Sequence, residues 1–312
     1  MTTLLTFRDN LKAVFSRYDY ILTPFAKFVL AMIVFFSINK HMGNVAVLNK
    51  GFFLFLIALV CAFIPIEFMS GITACMLVWQ TAKISLDIGL LTVALIVIFY
   101  SGYMRFYTKT GVIVLLVPIF YACHITYALP IVLGFLIGPS AVVPAVFGIL
   151  LYYFEESAGA FQNVLAAVTE EDDVVAGYQY ILNELLNNKD ILLTFIVFAV
   201  VILVTYAIYR MSFDNSWIVA FGVGGFVNIV LFLFGSITMS IKVAIVPILL
   251  GSLLGIVIAV VIQFMKGIVD YQKADYLQFE DDEYYYYVKA IPKLSVSESN
   301  KNIKHINSKM QK

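Results

Sequence analysis

Charge is what this sequence has least of. Only 13% of its 312 residues are Asp, Glu, Lys or Arg, against roughly 25% in a soluble globular domain. The deficit is filled by apolar side chains, 62% of the chain, and the mean hydropathy is +0.94. Such a chain cannot cover itself with polar surface, so the lipid bilayer is its first expected partner. Cysteine is also scarce. Cys61, Cys75 and Cys123 lie in apolar runs; an odd count in buried stretches argues against a disulfide framework and for small packing residues. His41, His124 and His305 are too dispersed to hold a metal, so no metal and no cofactor is expected. No basic block is large enough for a nucleic-acid surface. Catalytic signatures are missing too. Gly222, Gly224 and Gly225 form Gly-x-Gly-Gly in an apolar run. Without a preceding strand or a following lysine this reads as close helix packing rather than a phosphate loop. The chain is expected not to be an enzyme. The first long apolar run starts near Ile21 and lacks a small-residue exit, so it reads as a retained span rather than a secretory signal.

What is present is a series of long apolar runs, predicting an all-α polytopic integral membrane protein of about 8–10 membrane helical segments, some broken or re-entrant. Residues 1–20 place Leu4, Phe7, Leu11, Val14, Phe15 and Tyr18 at three- and four-residue steps. This is an amphipathic helix suited to the membrane interface or to the protein's own inner face. The first membrane region is 21–154. Its expected spans are Ile21–Ile38, Gly51–Phe68 and Leu86–Gly102, with Gly71–Ser85 as a short crossing or a re-entrant piece. Residues 111–154 stay apolar for about twice the length of one span, yet carry Pro118, Pro130, Pro139 and Pro144 among several glycines. Proline removes backbone donors, and broken backbone at membrane depth persists only where protein or a wet cavity satisfies it. This stretch is therefore expected at the protein's centre. Residues 155–190 hold eight carboxylates against Lys189 alone and read as an acidic extracytoplasmic helical segment with one amphipathic helix on either side of Asp172 and Asp173. The second membrane region, 191–266, is expected to hold Ile191–Tyr209, Trp217–Gly235 and Thr238–Met265. The tail, 267–312, pairs Tyr276–Glu280 with Glu283–Ile291 as a small cytosolic β-hairpin, followed by a lysine-rich disordered end.

Cationic loops set orientation. Arg8, Lys12 and Arg17, then Arg105 with Lys109, then Arg210, then the tail lysines can all be placed on the cytosolic side. The acidic 155–190 segment then lies outside and both termini inside. This requires four crossings before Arg105 and an odd number within 111–154, and it leaves Lys40 and Lys50 on the outer side. Short loops without a glycosylation sequon point to a bacterial plasma membrane. The stretches opening at Leu90 and at Leu192 also share a pattern of span, cationic loop and interrupted span, as a same-direction duplication would.

Ionisable groups within spans are costly and mark transport paths by default: here Glu67, Lys83, Asp87, His124 and Lys242. Lys83 and Asp87, four residues apart, would share a face of a continuous helix and pair. His124 lies between Pro118 and Pro130, placed either to relay protons or to bond a broken helix. Two functional readings emerge. One is a permease-like or transporter-like subunit moving a small solute or ion. The other is a non-enzymatic scaffold or anchor in an envelope or secretion assembly. In the second, a cytosolic protein would dock at 271–291 through Tyr276, Phe279, Tyr284, Tyr285, Tyr286 and Tyr287, and an external partner at 155–190.

Overall fold

The computed structural model describes residues 2–42, 51–167, 176–211, 215–241, 243–266, 275–280 and 285–290. Eleven α-helices are described: α1 Thr2–Met42, α2 Gly51–Phe63, α3 Ile66–Ile84, α4 Leu86–Phe99, α5 Val112–Ala122, α6 Leu129–Leu136, α7 Val142–Ala167, α8 Ala176–Asn187, α9 Lys189–Tyr209, α10 Ser216–Met239 and α11 Ile245–Lys266. Six stretches, Arg17–Lys40, Leu86–Met104, Pro139–Gln162, Lys189–Tyr209, Ser216–Met239 and Ile245–Lys266, are long and apolar enough to cross a membrane. This is the construction of an all-α membrane protein. The chain divides into a unit of residues 17–261 and a smaller one of residues 1–16 and 262–312. In the smaller unit the described parts are the outer ends of α1 and α11 and two extended segments, Asp275–Glu280 and Tyr285–Ala290.

Local chemistry sets several boundaries away from the sequence-based expectation. α1 runs without a gap but kinks at Tyr18 (φ −110°, ψ 17°), where the amphipathic pattern gives way to the apolar run. The expected span Gly51–Phe68 is two elements, because Pro65 cannot continue α2 and instead opens α3. α3 is longer than the expected Gly71–Ser85 and lies antiparallel to α4. Ser70 Oγ meets Tyr100 Oη at 2.9 Å near one end, and Thr92 Oγ1 donates to Thr81 Oγ1 at 2.9 Å near the other. The expected Thr238–Met265 span begins instead at Ile245, because Ser240 closes α10 in the left-handed region (φ 57°) while the Ile241 N–H returns to the Ser236 carbonyl. α7 passes through the expected boundary at 154, so Glu155 starts no solvated segment. It lies within the helix, 1% exposed.

The proline-broken stretch forms a helical hairpin. α5 and α6 hold 11 and 8 residues. At 1.5 Å per residue they are ~16 and ~12 Å long, each well short of a bilayer core of ~30 Å. Tyr103 Oη joins the two ends of the stretch, bonding Thr110 Oγ1 at 2.8 Å and the Ser140 carbonyl. Thirty residues thus leave one level and return to it. α5 and α7 then run parallel, since Val114 and Val117 lie against Gly148, and Tyr121 stacks on Tyr152 at 3.9 Å. The hairpin's tip is Cys123–Ile125. His124 adopts φ 57° there, and the Ile125 N–H bonds the Phe120 carbonyl. That is the helix-ending turn for which glycine is the usual residue.

Candidate functional site

α6 is the most enclosed element of the larger unit: every residue from Leu129 to Phe135 is buried. Small residues let its neighbours approach. A Cβ added to Gly134 would lie 2.8 Å from the Ile202 carbonyl on α9, and one added to Gly255 would lie 2.8 Å from Ala128 Cα. Gly138 is needed twice over. Its φ is +82°, and a Cβ there would meet the Tyr206 ring at 2.6 Å. These pairings run α6 parallel to α9. Contacts of Ile131 with Gly225 and of Phe135 with Phe221 run it antiparallel to α10.

Breaking the backbone before α6 frees carbonyls that the bilayer cannot hydrogen-bond. Asn228, fully buried on α10, answers one of them. Its Nδ2 donates to the Tyr127 carbonyl at 2.9 Å and to Ser252 Oγ on α11 at 2.8 Å. One side chain thus ties the hairpin to both α10 and α11. Just beyond it opens a cavity of about 230 Å³ lined by Tyr127, Tyr153, Asp190, Leu193, Thr194, Phe232, Val243 and Ala244. Asp190 sits in the first turn of α9, where the helix dipole favours a carboxylate, and its N–H bonds Asn188 Oδ1 at 3.0 Å. Two tyrosines, a threonine hydroxyl and one carboxylate can hold a small polar or cationic solute. The opposite end of this core carries Arg105 and Arg210: Tyr103 meets Ser140, Gly138 meets Tyr206, and Arg210 Nη1 bonds Tyr206 Oη at 3.1 Å.

The predicted path residues do not converge on this cavity. His124 stands at the hairpin tip, exposed, in a separate cavity beside α1. Lys83 and Asp87 do not share a helix face: Ser85 is extended (φ −154°, ψ 146°) and separates α3 from α4. A one-residue hinge, invisible in an apolar pattern, undoes that pairing. Glu67 lies partly buried in the first turn of α3, at the opposite end from Lys83. Lys242 and Tyr284 lie outside the described residues, as do Asp172 and Asp173. Of Tyr276, Phe279, Tyr285, Tyr286 and Tyr287 only the backbone is described.

A further set of buried polar atoms includes only one path candidate named from the sequence, Asp87. Gln80, fully buried, and Glu155 keep side-chain atoms without a hydrogen bond, as does one Asp87 oxygen. By helical spacing Gln80 shares a face with Ile84, Asp87 with Leu91 and Glu155 with Ala158. Those three partners belong to one apolar cluster, formed around Ile88, Phe154, Ala158, Phe161 and Ile181. Among the described residues no group of three His, Cys, Asp or Glu side chains could hold a metal. No protein-family profile matches the chain, and no curated protein or solved structure is significantly similar to it.

Proposed function

We propose that the chain is a permease-like membrane subunit moving a small polar or cationic solute, with the Tyr127–Tyr153–Asp190–Thr194 cavity as the place where the solute is first held. The observation that carries this reading is the short helical hairpin, buried at α6 and tied at the Tyr127 carbonyl by Asn228. Irregular backbone at membrane depth is costly. Interrupted helices whose freed backbone groups face a polar cavity are the means by which transporters place a solute within a bilayer. An anchor needs no such break. The end bearing Arg105 and Arg210 is taken as cytosolic by the excess of cations in inner loops, in a plasma membrane of bacterial type, with both termini on that side. The cavity then opens towards the outside.

The test is counterflow in vesicles holding the purified full-length protein, across a panel of small cations and neutral polar solutes. At least one solute should exchange faster than in empty vesicles. Asp190→Asn should slow a cationic solute about tenfold, the effect of ~1.4 kcal/mol. If no solute on the panel exchanges, or if Asp190→Asn leaves every rate unchanged, the cavity is not a solute site.

The scaffold reading rests on the tail sequence, in which Tyr276–Glu280 and Glu283–Ile291 are expected to form a β-hairpin. A two-stranded ribbon is marginal alone in water, and its free edges suit addition to a partner's sheet. In that case 271–291 docks a cytosolic protein and 155–190 an external one.

A further inference from the structure

The His124 cavity is distinct from the proposed solute site. It measures about 410 Å³ and is lined by Met32, Ile33, Phe36, Ser37 and Lys40 of α1, Tyr121, Ala122 and His124 of the hairpin tip, and Tyr152 of α7. Its lining has a direction. Ala31, Val34, Phe35 and Ile38 turn inward on α1 and are buried, whereas Ile33 and Phe36 are 37% and 64% exposed. In a helix that crosses a bilayer, such a surface faces acyl chains. The cavity therefore opens sideways, towards lipid. Its polar groups gather at the end of α1 nearest Lys40, beside the hairpin tip. Ser37, 4% exposed, lines the cavity with a hydroxyl that finds no partner. Lys40 and His124 both line the cavity, and among the described residues no carboxylate does.

We infer that this cavity binds a phospholipid with an anionic headgroup, the phosphate held by Lys40, His124 and the Ser37 hydroxyl and the acyl chains laid along Ile33 and Phe36. The charge pattern selects the headgroup: a lysine supplies a point charge to phosphate, and charge-assisted bonds of this kind are the strong ones. A neutral amphiphile would fill the apolar half and leave Lys40 uncompensated. The backbone agrees. His124 holds a left-handed conformation that glycine would adopt without strain, and a strained residue at a cavity wall is a mark of function. Glu156 is exposed one turn beyond Tyr152 on α7, and its negative charge opposes a phosphate held in the cavity.

Native mass spectrometry of the delipidated full-length protein, titrated with phosphatidylglycerol or phosphatidylcholine, tests the assignment. Phosphatidylglycerol should bind at least about tenfold more tightly. Lys40→Gln and His124→Gly should each lower that preference severalfold, and Glu156→Gln should raise it. His124→Gly relieves the backbone, so its thermal midpoint should hold or rise, which separates lost binding from lost fold. Inorganic phosphate alone should not displace the lipid. Equal retention of both lipids overturns the inference, as does an unchanged preference in Lys40→Gln and His124→Gly. Displacement by phosphate alone assigns the cavity to a free anion. A dimer that forms as lipid is removed, with no lipid rebinding, assigns it to a second copy of the chain.

Discussion

Asn228 is the residue on which the hairpin most depends. It is the sole amide side chain in α10, and it replaces the water that a broken helix would otherwise need. Removing it strands the Tyr127 carbonyl in an apolar core, and an unsatisfied buried group costs about 1–3 kcal/mol. Interhelical hydrogen bonds in membranes average somewhat less, ~0.6 kcal/mol. Asn228→Leu should therefore destabilise the detergent-solubilised protein by about 1–2 kcal/mol, seen as a lowered thermal midpoint. Ser252→Ala should cost less, since Asn228 keeps its bond to Tyr127. Equal losses in the two variants would mean that packing of α10 on α11, rather than the freed carbonyl, is what Asn228 serves. Asn228 Oδ1 and one Glu155 oxygen are themselves buried with no described group to answer them. A charge so placed is expensive, and an ionisable group kept at membrane depth is a functional candidate in its own right.

Element topology rests on a few side-chain meetings and can be read out directly. Tyr103, Thr110 and Ser140 share one level, and Gly138 with Tyr206 carries that level to Arg210. In a background lacking the three native cysteines, Arg105→Cys and Arg210→Cys should therefore label from the same side with a membrane-impermeant maleimide. Glu184→Cys, on α8, should label from the other. Opposite labelling of Arg105→Cys and Arg210→Cys would turn the α5–α6 hairpin into a full crossing. Much of this is legible in the sequence. Proline spacing in 111–154 announces an interrupted, protein-enclosed core, and the cationic loops demand that the Arg105 and Arg210 ends coincide. The hinges at Ser85 and Ser240 are not legible. In helices apolar on every side the 3.6-residue period carries little information, and a single extended or left-handed residue leaves no trace in composition. The polar knot at Asn228 escapes a reading that weighs only ionisable groups, although a lone amide within an apolar span is signal enough. The repeat suggested by Leu90 and Leu192 agrees only in direction: α4 and α9 both run towards the arginine end, but α10 is unbroken from Ser216 to Met239 where α5 stops at Ala122.

At the scale of the whole molecule the transport site and the proposed cytosolic dock fall in different units, so they can be separated by cutting the chain. The hairpin, the Asn228 knot and the Asp190 cavity all lie within residues 17–261, while segments 275–280 and 285–290 belong to the other unit. A chain ending at Tyr271 keeps every described helix and loses only the two extended segments and the residues around them. If transport is the function and the tail a dock, this truncation should exchange solute at the full-length rate in vesicles, and it should lose any cytosolic protein that co-purifies with the full-length chain in mild detergent. Loss of exchange with an unchanged thermal midpoint would make the tail part of the transport cycle. An unchanged partner on the truncated chain would move the docking surface into the membrane unit or to 155–190, where the exposed Glu184 and Asp190 belong to the acidic run.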